Sequence, residues 1–123
     1  MAKDGAKAIG HHFEGVAERY LNHKGVDVFE RNVTSRGGEI DLIGYDGHTL
    51  VFFEVRYRGH GSLTDPASSV TPRKQHKLLN AVSFYLHKHR LWETDTRIDV
   101  IAISPGTVRK YRVQWIKNAI QAG

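Results

Sequence analysis

A chain of 123 residues, 40% apolar and 25% charged, is sized for a single domain over 1–123 and is neither low in complexity nor disordered in character. The absence of cysteine excludes disulfides, thiolate catalysis and cysteine-ligated zinc or iron–sulfur centres. A net charge of +5 with eight histidines counted neutral favours a polyanionic partner, nucleic acid or an acidic surface.

The first predicted element is a helix over residues 6–24. Ile9, Phe13, Val16, Ala17, Tyr20 and Leu21 form its apolar stripe, and Gly25 stands where a C-terminal cap belongs. VDVFERNV (26–33) alternates like a half-buried strand, SRGG (35–38) reads as a turn, and EIDLIGY as a second strand. Asp46-Gly47 marks a hairpin into TLVFFEVRYR, a third strand. Residues 59–70 carry much Gly, Ser and Pro without periodicity and are expected to form a mobile loop. Thr71 and Pro72 supply a cap and a first helical residue. That helix runs to about His89, with Leu78, Leu79, Val82, Tyr85 and Leu86 turned to the core. RIDVIAI (97–103) is a strand, TVRKYRV another, and WIKNAIQ a short closing helix. The order α-β-β-β-α-β-β-α gives an α/β fold: a mixed central sheet flanked by helices. No run reaches the roughly 20 apolar residues of a membrane helix, and MAKDGAKAIG lacks the apolar core of a signal peptide. The expected location is cytoplasmic, with no membrane partner.

Alternation places Glu39 and Asp41 on one face of the second strand and Ile40 and Leu42 on the other. In the third strand Val51, Phe53, Val55 and Tyr57 share one face, and Phe52, Glu54, Arg56 and Arg58 the opposite one. Folding at Asp46-Gly47 brings Asp41 close to Phe52–Glu54. Carboxylates held side by side repel unless a cation lies between them or one is protonated. A solvated charged face is the common alternative. Against it, adjacent Phe52 and Phe53 leave neither face simply wet. Magnesium, which takes oxygen ligands, suits such a locality.

Asp41 followed by Glu54-Val55-Arg56 resembles the PD-(D/E)XK nuclease motif. GGEIDLI, FFEVRYR, the helix beginning near Lys74 and RIDVIAI together resemble the YraN family of small bacterial proteins, over roughly residues 8–104. FEGVAERYL resembles that family's first helix, with Glu14 at its glutamate. The resemblance implies a restriction-endonuclease-like fold similar to Holliday-junction resolvases. It implies Asp41, Glu54 and Glu14 as ligands of Mg2+ or Mn2+, joined by the backbone carbonyl of Val55. The implied activity is phosphodiester hydrolysis by metal-activated water, the implied partner nucleic acid, above all DNA and including branched DNA. By analogy with resolvases it also implies a homodimer.

Two departures bear on that activity. Arg56 stands where the family has lysine. Arginine stays protonated and cannot serve as a base, although its fork can hold a phosphate. A second reading therefore stays open: a nuclease-fold module that binds nucleic acid without cutting it. Phe13 replaces a small residue before Glu14. Arg56, Arg58, Arg73, Lys74 and Lys77 are the candidate phosphate contacts, since cations at a helix start oppose its dipole. Lys74 falls at the family's lysine. Glu39 is either a further ligand or an arginine's partner, the latter preferred. His11-His12 and His87-x-His89 lack the spacing of a helical metal pair. Asp99 is read as a strand anchor bound by Arg97.

Overall fold

Tight turns and strongly apolar strands build the first half of the sheet. The computed structural model describes residues 2–61 and 65–121. Helix α1 spans Ala2–His23, beginning earlier than its apolar stripe. It closes at Gly25, where φ is 91° and the Val26 N–H reaches back to the Leu21 carbonyl at 2.9 Å. Strand β1 (Asp27–Ser35) passes through Arg36 and Gly37 into β2 (Gly38–Asp46). Both loop residues have positive φ, as the twist of a two-residue hairpin demands. Gly47 opens the next loop, into β3 (Thr49–Tyr57).

Helix α2 (Pro72–Lys88) starts as its sequence dictates. Thr71 accepts the Lys74 N–H at its hydroxyl, and Pro72 occupies the first turn. The helix carries the chain across the sheet, so β4 (Thr96–Pro105) runs parallel to β3. Strand β5 (Tyr111–Ile116) returns antiparallel beside β4. The result is a mixed five-stranded sheet in the order β1-β2-β3-β4-β5. No helix among the described residues is long and apolar enough to cross a membrane.

The sheet separates two cores. On the α2 side Ile43, Leu50, Phe52, Ile98 and Val100 pack with Leu78, Ala81, Val82 and Tyr85. On the α1 side Leu42, Val51, Phe53, Ile101 and Ile103 pack with Phe13, Ala17 and Leu21. Central strand β3 is thus buried on both faces, which is why its sequence is a continuous apolar run ending in charge.

Two expectations need correction. WIKNAIQ is not a helix: Trp115 and Ile116 complete β5 against Ile101 and Val100. Beyond them Asn118 sits at φ 54°, where its N–H meets Asp99 Oδ1 at 2.7 Å. Edge pairing and a buried carboxylate outweigh the helical spacing, and the order is α-β-β-β-α-β-β. Second, Ile40 and Leu42 do not share a face. Ile40 joins the α2-side core and Leu42 the α1-side core; between them the β1–β2 ladder passes over Asp41 and its opposite number Asn32, whose φ is 53°. Within the predicted loop of 59–70, Ala67–Ser69 form a 3-10 turn and Ser69 and Val70 are buried. Residues 62–64 of that loop lie outside the described residues.

Candidate functional site

Asp41 marks the point where β2 leaves β3. The β2–β3 ladder stops at Leu42–Phe53, one step short of an Asp41–Glu54 pair. On the other side, the β1–β2 ladder pairs Arg31 with Leu42 and Val33 with Ile40, passing over Asn32 and Asp41. Asn32 has φ 53°, an αL conformation that asparagine tolerates better than most residues. It is β2 and β3 that part at the acids. The backbone group this frees on β3, the Val55 N–H, donates instead to Asp41 Oδ2 at 2.8 Å.

Helix α1 supplies the third acid. Glu14 lies one residue beyond buried Phe13, at the margin of the packed stripe, and leans over the parting strands. One carboxylate oxygen each of Glu14, Glu39 and Asp41 lie within 4.8 Å of one another. Among the described residues this is the group whose side chains can together hold a metal ion, and it contains no histidine. Glu54 flanks it, sharing with Asp41 the lining of both adjoining clefts.

Repulsion and burial act on Glu14, Asp41 and Glu54 in the same direction. Glu14 is pushed from 4.5 to about 7, by burial first and then by the Asp41 charge, partly offset by the Asn32 side chain. Burial is also the main cause raising Asp41 and Glu54. For Asp41 the Val55 N–H works against the rise. For Glu54 the Asp41 charge adds to it while Arg56 and Lys74 oppose. The protein thus holds carboxylates where they are costly to ionise together. A divalent cation with oxygen ligands would neutralise them, so the donor set fits Mg2+ or Mn2+.

Basic groups rim the acids unevenly. A cleft of about 560 Å3 on the α1 side is lined by Glu14, Asp41, Glu54, Arg56, Arg58 and Lys74, among others. A smaller one of about 260 Å3 on the α2 side holds Glu39, Asp41, Glu54, Lys74 and Lys77. Lys74 and Lys77 are one helical turn apart and exposed. Arg73 lines neither cleft and is turned outward. Arg56 is held rather than free: its Nε donates to Ser69 Oγ at 2.9 Å, and Nη1 lies 3.5 Å from Glu54. Ser69 Oγ in turn donates to the Pro66 carbonyl at 2.6 Å. Arg58 folds back onto the Tyr57 carbonyl at 2.7 Å.

The arrangement gathers Glu14, Asp41, Glu54 and Arg56 at one place and leaves Arg73 aside. It also brings in Glu39, whose position two residues before Asp41 was the available signal. Asn32 and Ser69 carried no signal at all, because each matters through a backbone irregularity or a 3-10 turn. Asp99 has the structural post expected of it. Fully buried, it accepts from Arg97 Nε at 2.9 Å, Trp115 Nε1 at 2.8 Å and the Asn118 N–H.

Comparison with known proteins adds the family. The model of the family described as "Uncharacterised protein family UPF0102" matches residues 13–103. A UPF0102 protein of Marinobacter nauticus is 62% identical over 99% of this chain and 99% of its own length. UPF0102 proteins of Aeromonas hydrophila (45% identical, over 93% of this chain and 85% of the relative) and Colwellia psychrerythraea (42%, over 86% and 83%) are also similar. With a family model covering most of it and a relative alike from end to end, the chain belongs to the UPF0102 family, the YraN family whose motifs its strands carry.

Proposed function

We propose that this protein is a metal-dependent nuclease, hydrolysing phosphodiesters at the cluster of Glu14, Glu39, Asp41 and Glu54. The observation that carries the reading is the meeting of Glu14, Glu39 and Asp41 within 4.8 Å, from a helix and from an irregular strand, beside cationic Lys74 and Lys77. Acidic clusters without a task are normally relieved by exposure; this one is partly buried and walled by basic groups. Glu14, Glu39, Asp41 and Glu54 are the residues that would hold Mg2+ or Mn2+, with the Val55 carbonyl as a further oxygen donor. Such a cation, when bound, supplies an acidified water and stabilises charge on the phosphate. The chain's own part is to hold Asp41 by the Val55 N–H, and to orient a phosphate by Lys74, Lys77 and Arg56. Any nucleic acid could present that phosphate, DNA being the substrate first expected.

The test is cleavage of labelled linear and branched DNA with magnesium or manganese, by the parent and by Asp41→Asn. Product from the parent and at least a hundredfold less from the variant is expected, the scale typical of losing a charge-stabilising group. Equal cleavage by both would end the reading. A rise in Tm with either metal, abolished by Asp41→Asn, is the accompanying binding test.

One observation favours a second reading, a binding module with a weakened centre. Arg56 keeps a fixed positive charge 3.5 Å from Glu54, competing with a cation there, and cannot take up a proton. Arg56→Lys separates the two. A gain in cleavage with the lysine assigns the deficit to this position, and loss of activity makes the arginine part of a working centre.

A further inference from the structure

The larger cleft is not lined by charged groups alone. Ile9, Gly10, Phe13 and Tyr57 share its lining with Glu14, Asp41 and Glu54. Ile9 belongs to neither core and keeps 58% of its surface exposed, although Phe13, one helical turn on, is buried. Phe13 and Tyr57 are stacked face to face at 3.8 Å and 12°. Tyr111 meets the Phe13 ring edge-on at 5.3 Å, and its hydroxyl lies 3.1 Å from His12 Nε2. The rings are thus fixed by one another before any ligand arrives. Gly10 leaves the space beside them open: a Cβ there would meet nothing within 4 Å.

We infer that this cleft takes an unpaired nucleotide, its base lying against Ile9, Phe13 and Tyr57 and its phosphate toward Arg58 and Lys74. The inference rests on the nuclease reading and names the substrate class for that site: strands with an unpaired residue at the scissile position. The cleft's volume of about 560 Å3 falls within the roughly 300–1,000 Å3 of small-ligand sites. Its lining combines carboxylates, cations and aromatic and aliphatic surface. A nucleotide has matching parts: a phosphate for the cations and a base for the apolar surface. A base within a duplex has both faces stacked and cannot reach an aromatic wall, so duplex alone leaves this apolar surface empty. Single strands are held by such a pairing of cationic groove and ring surface.

The experiment compares affinities, in calcium, for a labelled single strand, its ribo counterpart and the matching duplex. Tighter binding of a single strand than of duplex at equal salt is expected, and the tighter of the deoxy and ribo strands names the polymer. Gly10→Leu fills the open space without a clash and suits the helix, and Ile9→Ser alters an exposed side chain. Both spare the fold, and each should weaken single-strand binding about fivefold or more while leaving duplex binding unchanged. Tyr57→Ala should do the same, with Tyr57→Phe restoring affinity. Equal affinity for single strand and duplex, or no effect of Gly10→Leu and Ile9→Ser, overturns the inference. The metal-induced rise in Tm and its loss in Asp41→Asn report separately on the acidic centre, so failure of one reading is distinguishable from failure of the other.

Discussion

At the scale of single residues, the acids explain why the strand sequence looks contradictory. Two strands that bury Leu42, Ile43, Phe52 and Phe53 completely should not carry Asp41 and Glu54 beside them unless their repulsion is useful. That repulsion has a measurable consequence in the metal-free protein. With Glu14 raised from 4.5 to about 7, the folded chain binds more protons than the unfolded one between those values. Stability must therefore fall as pH climbs through that window and level off above it. Asp41 and Glu54, also raised, act with the same sign. Glu14 is partly exposed, and after allowance for screening its share is on the order of 1 kcal/mol. Urea denaturation in EDTA at about pH 5 and about pH 8 should show the loss; Glu14→Gln should flatten it, and magnesium at the higher pH should restore it. A metal-free stability that rises over this range would contradict the arrangement. Asp41, Glu54 and Glu14 were legible in the sequence through motif spacing. Glu39 was ambiguous because strand alternation says which acids share a face but not which reach one point.

At the scale of elements, the site depends on how closely β2 approaches α2. Gly38 makes that approach possible, since a Cβ there would stand 2.6 Å from the Lys77 carbonyl oxygen and 3.1 Å from the Ala81 Cβ. Backbone cannot yield as a side-chain tip can, so Gly38→Ala must push α2 away from the sheet. The expected cost is about 1–3 kcal/mol, in the range of overpacked interiors, read as a lower urea midpoint. Because Lys74 and Lys77 ride on the displaced turn, metal-dependent cleavage should fall as well. An unchanged midpoint would refute so close an approach. Periodicity made α1, β2, β3, α2 and β4 readable, each having a long apolar pattern or an explicit cap. It failed at WIKNAIQ, where Trp115, Ile116, Ala119 and Ile120 carry helical spacing. There the outcome is set by partners far along the chain: Asp99 takes both Trp115 Nε1 and the Asn118 N–H. Local pattern cannot report a competition decided by a buried carboxylate on another strand.

At the scale of the whole molecule, the net charge of +5 and the arrangement of that charge make different predictions. If the protein attracts a polyanion only by its total charge, removing any two lysines should weaken binding alike. If the rim of the cleft is the binding surface, position decides. Lys74 lines both clefts and Lys77 one. Lys117 lies elsewhere, 3.6 Å from Asp46 and over the Trp115 ring. Lys24 lies over Tyr20, at the far end of α1 from the cleft. The double variants Lys74→Ala with Lys77→Ala, and Lys24→Ala with Lys117→Ala, carry the same net charge. Each phosphate that a lysine no longer neutralises should lower the log–log salt slope of nucleic-acid binding by about 0.7–0.9. The slope of the first variant is therefore expected to be shallower by roughly 1.5, and that of the second to match the parent's. Equal slopes for the two variants would mean that the basic surface binds without regard to the acids at its centre, which would remove the reason to seek a scissile phosphate there.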